Sequence, residues 1–134
     1  MKAGKVWGIT EAIFANGAFE LHRIEATEGG ICSEHRHAHK WNGFYVEKGM
    51  LEITIWRNSG TIDRLTMQPG DTTIVPPGEY HQFRALSDAV AFEFYWAAPL
   101  NPDDIERRTI GFQGSSSGRT ADFDSANLGS IPSP

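Results

Sequence analysis

Three of the chain's five histidines fall within five residues, at His35, His37 and His39. A spacing of two puts successive side chains on one face of an extended strand. Neutral imidazoles gathered on one face each offer a nitrogen lone pair, which suits a divalent transition metal. Solvated histidines on an edge strand give the same spacing without any metal. Cys32 precedes this block and is the single cysteine of the sequence. One thiol excludes a disulfide framework or a Cys-based zinc site, and here it fits a small buried residue better than a nucleophile. Further along, Glu93 and Tyr95 alternate with Phe92, Phe94 and Trp96. One of these sets must face the core. The aromatic set is the expected filling, with Glu93 paired on the outside or at a subunit contact. Turned inward, Glu93 and Tyr95 become catalytic candidates, since burial raises the pKa of a carboxyl and suits it to proton transfer. Arg23, Arg36, Tyr45 and Arg84 can bind an anionic group, because the guanidinium forks carboxylates well. Of these, Arg23 is the substrate-binding candidate, since it shares a face with Phe19 and Leu21; the alternative for each is a solvated surface side chain.

The elements that must hold these residues are short. The chain has 134 residues, 40% of them hydrophobic and 22% charged, enough for one core. A net charge of -5 gives no dominant basic face and argues against nucleic acid as a partner. No apolar run is long enough for a membrane helix, and no apolar signal region follows Met1, so neither a membrane nor an export route is expected, and a cytoplasmic protein is.

Alternating apolar residues and tight turns predict strands over 19–26, from about Phe44, over 51–56, 61–67, 72–75, 81–86 and 89–96. Such a run of short strands points to an antiparallel sandwich or barrel over residues 1–110. A short helix is expected near 102–108, with Asn101 as cap, Pro102 at its first position, and Arg107 and Arg108 at its end. From Gly111 to Pro134 half the residues are Gly, Ser or Pro. That tail is expected to be irregular, either mobile or docked on a neighbouring subunit through Phe112 or Phe123.

Spacing around the histidines narrows the fold class. Gly29 is followed by five residues, then His35, Arg36 and His37; four residues later stands Asn42, and six after that Gly49. Gly70 is followed by five residues, then Pro76-Pro77-Gly78, two residues and His81. In order and spacing these resemble the two motif blocks of the cupin superfamily, over about residues 19–96. The family's first block has Glu where Asn42 stands, and its second ends in Asn where Ala85 stands.

The resemblance implies an all-β, antiparallel jelly-roll barrel of six to eight strands. It implies that His35, His37 and His81 hold one divalent metal inside the barrel, with Asn42 at the fourth ligand position. Parity agrees: Asn42, Phe44 and Val46 share one face, as do His81, Phe83 and Ala85. Each set has a polar head and apolar residues deeper in, so Phe44 and Phe83 are candidates to line a ligand pocket. Three neutral imidazoles leave a divalent centre at +2, which favours anionic ligands. Asn42 can bind the metal through its carbonyl oxygen or hydrogen-bond a water there; alternatively it marks a site that has lost its metal. His39 is either a further ligand or water-binding group, or an exposed loop side chain. Fe, Mn, Zn, Ni and Cu all suit such donors.

Cupins host many chemistries. One expectation is a metal-dependent enzyme acting on a small polar or anionic molecule, of dioxygenase or sugar isomerase/epimerase type. The alternative is a non-catalytic cupin that binds a small ligand, and a third class is a purely structural protein with no metal. The opening Lys5-Val6-Trp7-Gly8 is similar to that of the cupin half of bacterial mannose-phosphate isomerase/guanylyltransferase enzymes, although they have Pro in place of Val6. Four Trp and eight Phe exceed what a narrow barrel holds. They predict a homodimer through sheet faces, involving Trp56 and one face of the last strand, or cover by the segment around Val6, Trp7 and Ile13.

Overall fold

The computed structural model describes residues 1–97 and 102–111. Met1–Pro99 forms one compact unit, and Leu100–Pro134 belongs to a second. Nine strands make up the first: β1 (Lys2–Lys5), β2 (Gly8–Ala15), β3 (Phe19–Ala26), β4 (Trp41–Lys48), β5 (Leu51–Trp56), β6 (Ile62–Met67), β7 (Thr72–Val75), β8 (Tyr80–Ala85) and β9 (Ala89–Trp96). They form two antiparallel sheets, one ordered β1-β2-β3-β9-β4-β7 and the other β6-β5-β8. The strand count exceeds the expected six to eight because β1 and β2 extend the larger sheet at its edge. Among the described residues no helix is long and apolar enough to cross a membrane.

Register decides which side chains face inward. On the larger sheet Ile24 pairs with Ala91 and Ala91 with Val46; one level up lie His22, Glu93 and Phe44, and above them Glu20, Tyr95 and Asn42. On the smaller sheet Leu51, Ile53 and Ile55 pair with Ala85, Phe83 and His81. Each inward face therefore runs from aliphatic at one end to polar at the other. Ile24, Val46, Leu51, Ile53 and Ile55 are fully buried and form the dry floor. Their burial is the main favourable term holding the sheets together. The polar ends collect at the opposite mouth.

This register overturns the expectation for the last strand. Glu93 and Tyr95 face inward, while Phe92, Phe94 and Trp96 lie on the outer face. Arg23 shares that outer face, opposite Phe92, and pairs with Glu25. It therefore points away from the histidines and cannot serve the pocket. Alternation shows which residues share a face but not which face is inside. Here the outer face is as apolar as the inner one. On it Trp41 stacks on Trp96 at 5.9 Å, Trp96 on Phe94 at 5.8 Å, and Phe94 on Phe19 at 6.5 Å. Trp7, by contrast, packs inside, edge-on to Phe83 at 4.9 Å.

The helix expected near 102–108 is absent. Pro102 and Asp103 lie in a turn, and 104–107 have no regular structure. Residues 102–110 are exposed, so no apolar face is buried to offset the cost of nucleating a two-turn helix. Asn101 and the tail from Phe112 onward lie outside the described residues.

Candidate metal centre

His81 and His35 are brought together by the backbone. The segment before β4 runs antiparallel beside β8, as the isolated bridges Ile31–Arg84 and His35–His81 show. His35 and His81 exchange reciprocal amide–carbonyl bonds of 3.1 and 2.9 Å. Their rings stand 4.6 Å apart. The Pro76-Pro77-Gly78 turn does two jobs. It aims the chain into β8, and its Gly78 amide donates to the His37 carbonyl at 2.8 Å. Gly78 has φ 87, a conformation open to glycine. His37 is thereby drawn beside the other two, with ring separations of 5.1 Å to His35 and 5.4 Å to His81. One nitrogen from each ring falls within 4.8 Å of the others. His39 does not join them; the chain bends at Ala38 and His39, and His39 is exposed.

The tautomers follow from the hydrogen bonds. His35 Nδ1 lies 2.9 Å from the Ser33 carbonyl, and His81 Nδ1 lies 3.0 Å from the Glu79 carbonyl. A carbonyl only accepts, so the tautomer that satisfies each of these contacts carries its proton on Nδ1 and keeps the Nε2 lone pair. Glu79 is held in turn by Arg57 at 2.9 Å and by the Asn58 amide at 3.0 Å. His37 Nε2 is buried with no partner. Buried polar atoms are almost always satisfied, so an orphan calls for an explanation. Burial, with help from His35, His81 and Lys40, pushes the His37 pKa down to about 4. Burial also lowers that of His81. At neutral pH both rings are uncharged donors of lone pairs.

Asn42 is buried on β4. Its Nδ2 donates to the Phe94 carbonyl at 3.2 Å, which turns Oδ1 toward His81 Nε2 at 2.9 Å. His81 thus has an acceptor oxygen at each ring nitrogen and, when neutral, one proton to give; with that proton on Nδ1, two lone pairs face one another. The residues present fit a divalent metal: an orphaned nitrogen, a nitrogen from each of two other rings within 4.8 Å and an amide oxygen converge.

A cleft of about 690 Å³ opens beside this cluster and reaches it at His35. Trp7, Phe83 and Cys32 supply its apolar wall, and His22, Lys40, Glu93 and Tyr95 its polar one. Phe44 lies beneath the cleft, 6.4 Å from the His81 ring. Burial pushes the Cys32 thiol up to about 11, in keeping with an unreactive residue. The Glu93 carboxyl is raised by burial, against the opposing pull of Tyr95, His35, Asn42 and His22. Tyr95 is raised as well, by burial and by Glu93. Sequence reasoning missed His22 and Lys40. Both share parity with inward residues, His22 with Ile24 and Lys40 with Asn42, and that was the available signal.

Comparison with known proteins places this architecture. A family model described as a cupin domain matches residues 22–98, more than half the chain. The chain belongs to the cupin domain family. No match to a curated protein sequence is found. KdgF from Halomonas sp. is 18% identical over 67% of this chain and 78% of its own, with a TM-score of 0.60. An RmlC-like cupin from Shewanella frigidimarina is 19% identical over 70% and 79%, with a TM-score of 0.59. Bacillus subtilis oxalate decarboxylase, whose Mn(II) centres have been characterised, is 18% identical over 72% of this chain, with a TM-score of 0.65; the match spans only 27% of that larger chain. At these identities the likeness is one of fold.

Proposed function

We propose that this chain is a metal-dependent cupin enzyme acting on a small polar or anionic molecule. His35, His37 and His81 hold one divalent transition metal, with the Asn42 amide oxygen beside it. The observation that carries the reading is the buried, unpartnered His37 Nε2, in a cluster where one nitrogen from each of three rings lies within 4.8 Å of the others. The Mn(II) centres of oxalate decarboxylase, a protein of the same fold, support a metal of this kind. When bound, the metal would polarise a substrate oxygen or activate O2 or water.

The chain's own groups supply the rest. Glu93 holds a proton more readily than an exposed carboxylate does, and Tyr95 and Asn42 lie beside it. It acts as the general acid and base of the cleft. Trp7 and Phe83 keep water from one wall. Dioxygenase and sugar isomerase or epimerase chemistry both suit this set. The presence of Glu93 and Tyr95 in the cleft favours an enzyme over a purely ligand-binding cupin, which would place no acid or base there. The aromatic outer face of β3, β9 and β4 is the surface on which a second copy would pack to form a homodimer.

The test is thermal unfolding of the metal-free protein with Fe(II), Mn(II), Zn(II), Ni(II) or Cu(II) added in turn. At least one should raise the midpoint, since a ligand bound to the folded state stabilises it. His37→Ala should abolish the rise. No rise with any of the five would overturn the reading.

A further inference from the structure

Lys40 immediately precedes β4 and shares its inward parity with Asn42 and Phe44. It is half-buried, and its Nζ sits 4.4 Å from the centre of the Tyr95 ring. The same Tyr95 ring packs edge-on to His37 at 5.2 Å. One aromatic ring therefore forms a common wall between the ammonium and the histidine cluster. Lys40 lines the cleft with His35, His22 and Glu93. The ion pairs of the described residues are His22–Glu20, Arg23–Glu25, Arg57–Asp63 and Arg57–Glu79, and none includes Lys40. A cation drawn partly out of water without a carboxylate partner is an unmet demand for an anion. The face of Tyr95 steadies the ammonium but leaves its protons free to donate.

We infer that Lys40 is the anion-recognising residue of the cleft, and that the ligand is a small dicarboxylate bridging from the histidine site to Lys40. This inference rests on the metal reading above. One carboxylate would bind the metal held by the three histidines, and the other would accept hydrogen bonds from Lys40. A single half-buried lysine matches the single charge of a carboxylate better than the nearly double charge of a phosphate. Lys5 also lines the cleft but is exposed, so water screens it. Arg23, the cation singled out by its sequence position, is on the wrong face. Lys40 takes over that role.

The experiment is calorimetric titration of the metal-loaded protein with succinate and, separately, with acetate. Metal content is measured first on every sample. Wild type should bind succinate more tightly than acetate. Lys40→Met should weaken succinate about tenfold, the worth of one charge-assisted hydrogen bond, and leave acetate and metal content unchanged. Lys40→Arg should restore succinate binding. If Lys40→Met binds succinate as wild type does, or if wild type does not prefer succinate to acetate, the assignment of Lys40 is overturned while the metal reading stands. If wild type takes up no metal, the metal reading falls and the bridging ligand falls with it.

Discussion

Asn42 Oδ1 lies 2.9 Å from His81 Nε2 and the Glu79 carbonyl lies 3.0 Å from His81 Nδ1, so a neutral His81 ring, with one proton, faces two acceptor oxygens. Asn42 Nδ2 donates to the Phe94 carbonyl at 3.2 Å, which keeps Oδ1 toward the ring. Flipping the amide would set Oδ1 against Phe94 and merely move the conflict. Protonating His81 fully would resolve it, but burial lowers its pKa. A bound cation resolves it without that cost. Asn42→Ala removes the oxygen and should weaken metal binding about tenfold, within the range for groups beside a metal's ligands. Competition with a chelator measures this. Unchanged affinity would show that Asn42 has no part in the site.

Acid should destabilise the metal-free protein through His37. Its pKa falls from 6.5 in the unfolded chain to about 4 in the folded one. Between those values the unfolded chain binds more protons, so stability rises with pH and is lost on acidification. Urea midpoints between pH 7 and pH 4 should fall for wild type and fall less for His37→Asn. Parallel curves would remove His37 as the cause.

Gly49, between β4 and β5, has φ 76, and an added Cβ would stand 2.1 Å from the Asp88 carbonyl oxygen. Gly49→Ala combines left-handed strain with a backbone clash. The expected loss is about 2 kcal/mol or more, read from urea unfolding. An unchanged midpoint would mean that the turn relaxes freely.

Phe19, Phe94, Trp96 and Trp41 form a stacked row on an outer sheet face. Phe14 and Tyr45 on the same face are 51% and 40% exposed. A contiguous apolar patch of this kind marks an association surface. Sedimentation should show a dimer for wild type and a monomer for Trp96→Glu. A monomeric wild type would contradict the homodimer.

Much of this was legible in the chain. The resemblance of the Gly29-to-Gly49 and Gly70-to-His81 segments to the two cupin motif blocks named the three rings that converge. The strand over Leu51–Trp56 was clear from its alternation, Phe19–Ala26 from a partial one, and Thr72–Val75 from its β-branched residues; Ala89–Trp96 was legible as well. The facing of β9 was not, because Phe92, Phe94 and Trp96 make the outside look like a core. The same ambiguity misplaced Arg23. β1 and β2 were unreadable because their residues are largely exposed and carry no strong apolar period. Lys40 escaped notice because the strand it continues was expected to begin later.

The central claim is that His35, His37 and His81 bind one metal. Elemental analysis of untagged protein tests it most directly, on wild type and on His81→Ala. The account predicts about one equivalent of a divalent transition metal in wild type and its loss in the variant. Wild type without stoichiometric metal, or His81→Ala that keeps it, would contradict the account.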